Sequence, residues 1–198
     1  MTVKSYSSKM LSEMNFKAGE PVGELKVSEL SPSDKKQGTI IRWRPDLKVF
    51  KEIDIPVEFL DVTMRRQAFV NAGIKFILEV EKTPGKFEKT EYYYENGISD
   101  YVKELAGDDA ISSVQYWQTE RSGKDREDLP EYKVRLNVAL AFSNKKQLIE
   151  YYHNSSFLEF GGSPDNAVKS ALVSQIDAYL KQNSKYLKTD AKISFQDI

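Results

Sequence analysis

The stretch IKFILEVEKTPGKFEKTEYYYENG, residues 74–97, decides how the rest of the chain is read. Two runs rich in β-branched and aromatic residues flank Thr83-Pro84-Gly85-Lys86. Pro-Gly suits the middle of a type II turn, because proline presets φ and glycine takes the positive φ that follows. The stretch is therefore a β-hairpin, and Asn96-Gly97 ends it. Before it, VEFLDVTMRRQAFVNAG (57–73) repeats Phe59, Val62, Phe69 and Val70 at helical spacing. Glu58 and Asp61 sit near its start, and Asn71-Ala72-Gly73 supplies its stop. After it, ISDYVKELAG (98–107) sets Ile98, Tyr101, Val102 and Leu105 on one stripe, with Gly107 as the stop. Helix, hairpin and helix make a mixed α/β chain.

Toward the N-terminus, residues 1–37 are polar and broken by KAGEPVG and SPSDKKQG. They read as an extended lead-in segment with one short strand, GELKVSEL (23–30). GTIIRWR (38–44) is a strand, closed off by Gly38 before it and Pro45-Asp46 after it. Toward the C-terminus a second sheet-forming block contains AISSVQYWQTE (110–120), YKVRLNVALAFS (132–143) and KQLIEYYHNSS (146–156). RSGKDREDLPE (121–131) between the first two reads as a solvated loop. Val134, Leu136, Val138 and Leu140 alternate with Lys133, Arg135, Asn137 and Ala139, which predicts a strand with one buried face.

The stretch FGGSPDNAVKSAL (160–172) opens the last helix. Ser163 is its expected N-cap, Pro164 suits the first helical position, and Asp165 complements the positive end of the dipole. Val168, Leu172, Ile176 and Tyr179 form its expected buried stripe. The tail, KTDAKISFQDI (188–198), has strand or capping character at its start. Its abrupt end is that expected of a piece of a longer protein.

Composition narrows the function. At 198 residues, with no internal repeat, the expectation is one core and one main domain. A net charge of −1 does not announce a nucleic-acid binder, although a local basic face is compatible with it. Cysteine is absent, which removes disulfides, thiolate zinc sites and thiol nucleophiles together. No segment has the apolar run of a signal peptide or a membrane span, so a soluble, cytoplasmic chain is expected. The single histidine, His153, reads as a partly buried structural residue at the end of a strand. No catalytic constellation and no metal-ligand set is assigned.

Gly161 and Gly162 at a helix start pose a choice between a phosphate cradle and a hinge. Free N–H groups there accept anions. A Walker loop, however, needs a longer glycine run ending in Lys-Ser/Thr, and the dinucleotide fingerprint needs three spaced glycines. Asp165 would also repel an anion. Gly161, Gly162 and Ser163 are thus read as a structural loop.

The order of motifs resembles a known family. GTIIRWRPDLKVF, MRRQAFVNAGIKFIL, YYYENGISDYVKEL, YKVRLNVALAF and HNSSFLEFGGSPDNAVKSALVSQIDAYLK follow one another as in the transducer domain of the ATPase subunit of type IIA DNA topoisomerases. This is the DNA gyrase B and topoisomerase IV ParE family. The likeness is carried by Arg65, Phe69, Asn71 and Gly73, by Tyr94, Gly97, Ile98 and Val102, and by the asparagine followed by the glycine pair. It covers residues 38–198. Two positions depart from the family pattern. Glu159 stands where a basic residue is usual, and Ser163-Pro164 stands where Thr-His is usual.

The resemblance implies an α/β fold with a four-stranded sheet backed by helices, of the ribosomal-protein-like kind with a left-handed βαβ crossover. It implies a domain that couples ATP binding and hydrolysis in a preceding domain to DNA gate movement and strand passage. DNA, the partner cleavage subunit and a second copy of the parent protein are the implied partners, with no membrane. ATP and magnesium are cofactors of the parent, and no cofactor is expected in this segment, which stops before the family's ATP-contacting lysine loop. Candidate DNA contacts are Arg42, Arg44, Arg65, Arg66 and Lys169. Two other classes stay open. One is a small hydrolase or phosphotransferase at the glycine loop, with His153 as base and Ser155 or Ser163 as nucleophile. The other is a stand-alone interaction module using the aromatic EYYYENG or VQYWQ strands.

Overall fold

A computed structural model describes residues 1–183, 185–186 and 191–198. The strand or cap expected at the start of the tail falls on 188–190, outside the described residues. The chain divides into two compact units, Met1–Pro56 and Val57–Ile198.

The first unit is an antiparallel sheet of β1 (Thr2–Ser7), β2 (Met10–Lys17), β3 (Glu20–Glu29) and β4 (Gly38–Arg42), in the order β3-β2-β1-β4. The lead-in segment, expected to hold one strand, holds three. Their turns hid them. Ser8 and Lys9 join β1 to β2, and Ala18 and Gly19 join β2 to β3, all with positive φ. Such two-residue turns ordinarily announce themselves by glycine or asparagine, and three of these four residues are neither. The register puts Val3, Met14, Val27 and Ile41 on one face, and Lys4, Glu13, Lys26 and Arg42 on the other. Trp43, just past β4, is 57% exposed.

The three α-helices among the described residues lie in the second unit. α1 (Val57–Val70) packs on the hairpin of β5 (Phe76–Thr83) and β6 (Lys86–Tyr92). The turn is as expected: Gly85 has φ 77°, and its N–H donates to the Glu81 carboxylate at 2.7 Å. Ala68, Leu78 and Tyr92 form the core here, with Val57, Leu60 and Met64 against it. The stripe expected for α1 is corrected by this. Phe59 is 64% exposed and Val62 is also exposed, because α1 has two apolar stripes and the hairpin covers the one through 57, 60, 64 and 68. Phe69 alone of the expected set is fully buried.

α2 (Ile98–Ala106) follows, half-buried along the expected stripe. β7 (Gln115–Gly123) and β8 (Tyr132–Leu140) pair antiparallel from Gln115↔Leu140 to Gly123↔Tyr132. Thus β7 takes in the start of the expected loop. The face expected to be buried is open at Val134 and Leu136, beside Trp117 at 51% exposed, and half-buried at Val138 and Leu140. Only Tyr152–His153 (β9) and Ser156–Phe157 (β10) pair within 146–157, where a longer strand was expected. Among the described residues, α3 (Ser163–Gln182) is followed by no regular structure but a 3-10 turn, Phe195–Asp197.

The mixed α/β class and the four-stranded sheet are present. That sheet belongs to the first unit, and every ladder among the described residues is antiparallel. The helices belong to the second unit. No helix among the described residues is long and apolar enough to cross a membrane.

Candidate functional site

The second half of α1 gathers the polar and aromatic groups of the second unit. Phe69 points into an aromatic box. Its ring stacks on Tyr101 at 3.8 Å and meets Tyr94 and Tyr152 edge-on at 5.9 and 5.5 Å. The edge-on contacts are a favoured aromatic geometry. Around the box runs a polar rim. Arg65 donates Nε to the Tyr94 hydroxyl at 3.0 Å and pairs with Glu104 of α2, and Tyr94 donates to the same carboxylate at 2.8 Å. The Tyr94 hydrogen bond and the Glu104 charge raise the Arg65 pKa.

Arg66, on the neighbouring face of α1, lies 4.1 Å above the Phe157 ring and 3.8 Å from Glu150. Next to it, Gln67 Nε2 donates to the Ser155 carbonyl at 3.0 Å, and the Ser155 hydroxyl donates to Asn71 Oδ1, one turn past Gln67, at 3.1 Å. The box thereby binds three separate segments to α1: α2, the stretch around Glu150, and the β9–β10 turn. Burial, then the Glu150 charge, pushes the Tyr101 phenol up to about 12. Burial raises Tyr152 as well, with Glu150 adding to it.

The β9–β10 hairpin leads into the glycine loop. Leu158 N–H donates to the Tyr151 carbonyl at 2.8 Å, and Gly161 N–H to the Leu158 carbonyl at 3.1 Å. Gly161 has φ 66°, and a Cβ there would stand 2.7 Å from Asp165 Cβ. Gly162 has φ 68° and ψ −145° and occupies the cap position. Ser163 is therefore the first helical residue and makes no capping bond, because glycine already supplies the backbone turn that a side-chain cap would otherwise stabilise. Asp165 pairs with Lys169 at 2.8 Å, which holds its carboxyl below the usual range. The Tyr151 hydroxyl is buried with no hydrogen-bond partner among the described residues, and burial, with Asp165 nearby, pushes it up to about 12. A phosphate at this helix start would face a carboxylate, so the loop does not fit a nucleotide. Among the described residues no group of three His, Asp or Glu side chains could hold a metal ion.

The five candidate cations are divided between the two units. Arg65, Arg66 and Lys169 are each held by a carboxylate, and Lys169 also lies 5.2 Å over the Phe195 ring. Arg42 and Arg44 are exposed, in the first unit, and no ion pair holds either among the described residues. His153 is exposed rather than partly buried, because its two-residue strand pairs only with β10. The Ser155 hydroxyl is engaged with Asn71 and so is not placed as a nucleophile. Sequence reasoning passed over Gln67, Glu104 and Glu150. Their signal was faint: a carboxylate tens of residues along the chain from its arginine leaves no spacing to read.

The family model described as DNA gyrase B matches residues 97–198, just over half of the chain and the part that holds α2, the glycine loop and α3. The chain belongs to the DNA gyrase B family. The DNA gyrase B protein of Mycoplasmoides gallisepticum is 30% identical over 189 residues, taking in 91% of this chain and 28% of its own length. That of Helicobacter pylori strain 26695 is 26% identical and takes in 93% of this chain and 22% of its own length. The chain thus spans less than a third of these gyrase B relatives. Among solved structures, the 43K ATPase domain of Thermus thermophilus gyrase B, in complex with an aminocoumarin, superposes with a TM-score of 0.68 at 20% identity. It covers 96% of this chain and 49% of its own. The gyrase B protein of Myxococcus xanthus gives 0.70 at 15% identity, over 90% of this chain and 49% of its own. Both likenesses establish a shared gyrase B fold.

Proposed function

We propose that residues 38–198 serve as the transducer of a gyrase B-type component of a type IIA DNA topoisomerase. They would couple ATP binding and hydrolysis elsewhere in the parent protein to DNA gate movement and strand passage. The observation that carries this reading is the DNA gyrase B match over 97–198. The architecture around α1 supplies a physical reason. Close-packed interiors transmit strain rather than absorb it, and the Phe69 box with its Arg65 and Arg66 ion pairs makes α1, α2 and the β9–β10 hairpin such a block. A push on α1 would therefore move the whole block.

On this reading ATP and magnesium are bound elsewhere in the parent. The partners are DNA, the cleavage subunit and a second copy of the parent, in the cytoplasm. Of the five candidate cations, Arg42 and Arg44 are the ones whose charge is available to phosphate. The test is made in the full-length parent assembled with its cleavage subunit. Arg65→Ala with Arg66→Ala should leave ATP hydrolysis without DNA intact and abolish strand passage. Strand passage at the wild-type rate would sink the proposal.

A further inference from the structure

Asn154 and Ser155 join β9 to β10, and both have positive φ, 45° and 68°. A two-residue hairpin turn of this hand favours asparagine first and glycine second. Serine at the second position breaks the local rule. Where a sequence keeps such a conflict, the side chain is expected to do something that glycine cannot. Here the hydroxyl reaches another element: Ser155 Oγ donates to Asn71 Oδ1 at 3.1 Å, and the Ser155 carbonyl accepts from Gln67 Nε2 at 3.0 Å. Asn71 is itself held, its Nδ2 donating to the Gln67 carbonyl at 2.8 Å. Ser8 and Lys9 adopt the same hand in the first sheet, but among the described residues neither side chain bonds to another element.

A left-handed non-glycine residue persists only where its surroundings hold it. Among the described residues the side chain and carbonyl of Ser155 are held by Gln67, in the last turn of α1, and by Asn71 just past its end. On its other side the chain passes through the Leu158 and Gly161 backbone bonds directly into α3. We propose that Ser155 is a positioning residue, the joint that makes the N-terminus of α3 follow α1, with Asn71 and Gln67 as its socket. The inference rests on the transducer reading, and it names the contact through which that coupling passes from the first helix to the last.

Three variants of the full-length parent separate the contributions. Ser155→Gly keeps the backbone freedom and loses the donor. Ser155→Ala loses the donor and keeps the strain. Ser155→Asn keeps a donor on a residue that tolerates the left-handed region. Amide hydrogen exchange of Gly161–Asn166 reads the joint directly, and DNA-stimulated ATP hydrolysis reads its use. Expected are faster exchange and at least an approximately fivefold loss of DNA stimulation in the glycine and alanine variants, the low end of coupling between sites. Hydrolysis without DNA stays unchanged, and Ser155→Asn recovers both readouts. Unchanged exchange in Ser155→Gly overturns the joint. Faster exchange with full DNA stimulation overturns its role in coupling. A wild-type parent whose hydrolysis ignores DNA overturns the transducer reading itself, which the exchange data then distinguish from a failed joint.

Discussion

Phe69 and Tyr101 lie face to face, their ring centroids 3.8 Å apart and their planes 9° from parallel. This stack is where α1 meets α2, and Phe69 is 1% exposed. Phe69→Ala removes the ring and leaves a void among Tyr94, Tyr101 and Tyr152. The expected loss is about 3–5 kcal/mol, the usual range for emptying a buried phenylalanine site. It should be read as a lower urea midpoint at unchanged slope. A loss well under that range would mean that the box collapses around the gap.

The glycine loop gives a graded pair. Gly162→Ala places a Cβ in nearly open space but at φ 68° and ψ −145°, a region close to glycine-only, and should cost about 1–3 kcal/mol. Gly161→Ala adds a clash with Asp165 Cβ, which would approach to 2.7 Å. Asp165→Gly removes the obstructing atom, so it should be less harmful beside Gly161→Ala than alone. Strictly additive effects in that double-mutant cycle would show that the contact is not felt.

Alkali should destabilise the second unit through its buried tyrosines. Tyr101 and Tyr151 are pushed up to about 12 from 10.0, with burial the first cause in both. Unfolded tyrosines ionise near the lower value while the folded ones keep their protons, so the unfolded state binds fewer protons in between. Their contribution is complete below pH 10 and is lost as pH rises through about 12. Phenolate absorbance should therefore show a late, cooperative step coincident with unfolding. Ionisation of all 11 tyrosines in one early wave would contradict it.

DNA binding by the parent should divide the candidate cations. Arg42→Ala with Arg44→Ala is expected to flatten the dependence of log affinity on log salt by up to about 2, since each phosphate contact contributes roughly 0.9. Lys169→Ala, which removes a charge already paired with Asp165, should change the slope little and loosen the first turns of α3. A larger slope change from Lys169→Ala than from the arginine pair would reverse this assignment.

The elements with strong local signals were legible in the sequence. Pro84-Gly85 announced its hairpin, and both α1 and α2 followed from spacing and stop residues. Where the chain used weak punctuation the reading failed. Ser8 with Lys9, and Ala18 with Gly19, turn the first sheet with little glycine or asparagine to mark them. Which stripe of α1 is buried could not be read either, because Phe59 and Val62 are as apolar as Leu60 and Met64. That choice is made by the hairpin packed against the helix. Arg65, Arg66 and the glycine pair stood out in the sequence, the arginines as candidate DNA contacts, but their acceptors did not. Glu104, Glu150 and Ser155 are joined to α1 only by tertiary folding, and exposed or half-exposed ion pairs leave no periodic trace.

Trp43 and Trp117 are the two tryptophans of the chain, one in each compact unit, and each is about half exposed. Indole emission shifts with the polarity of its surroundings, so the molecule carries one native optical reporter per unit. Replacing either by phenylalanine isolates the other. A single fluorescence melt would then assign each transition to its own half of the chain, and a blue shift on adding DNA or nucleotide to the parent would identify which half loses contact with water.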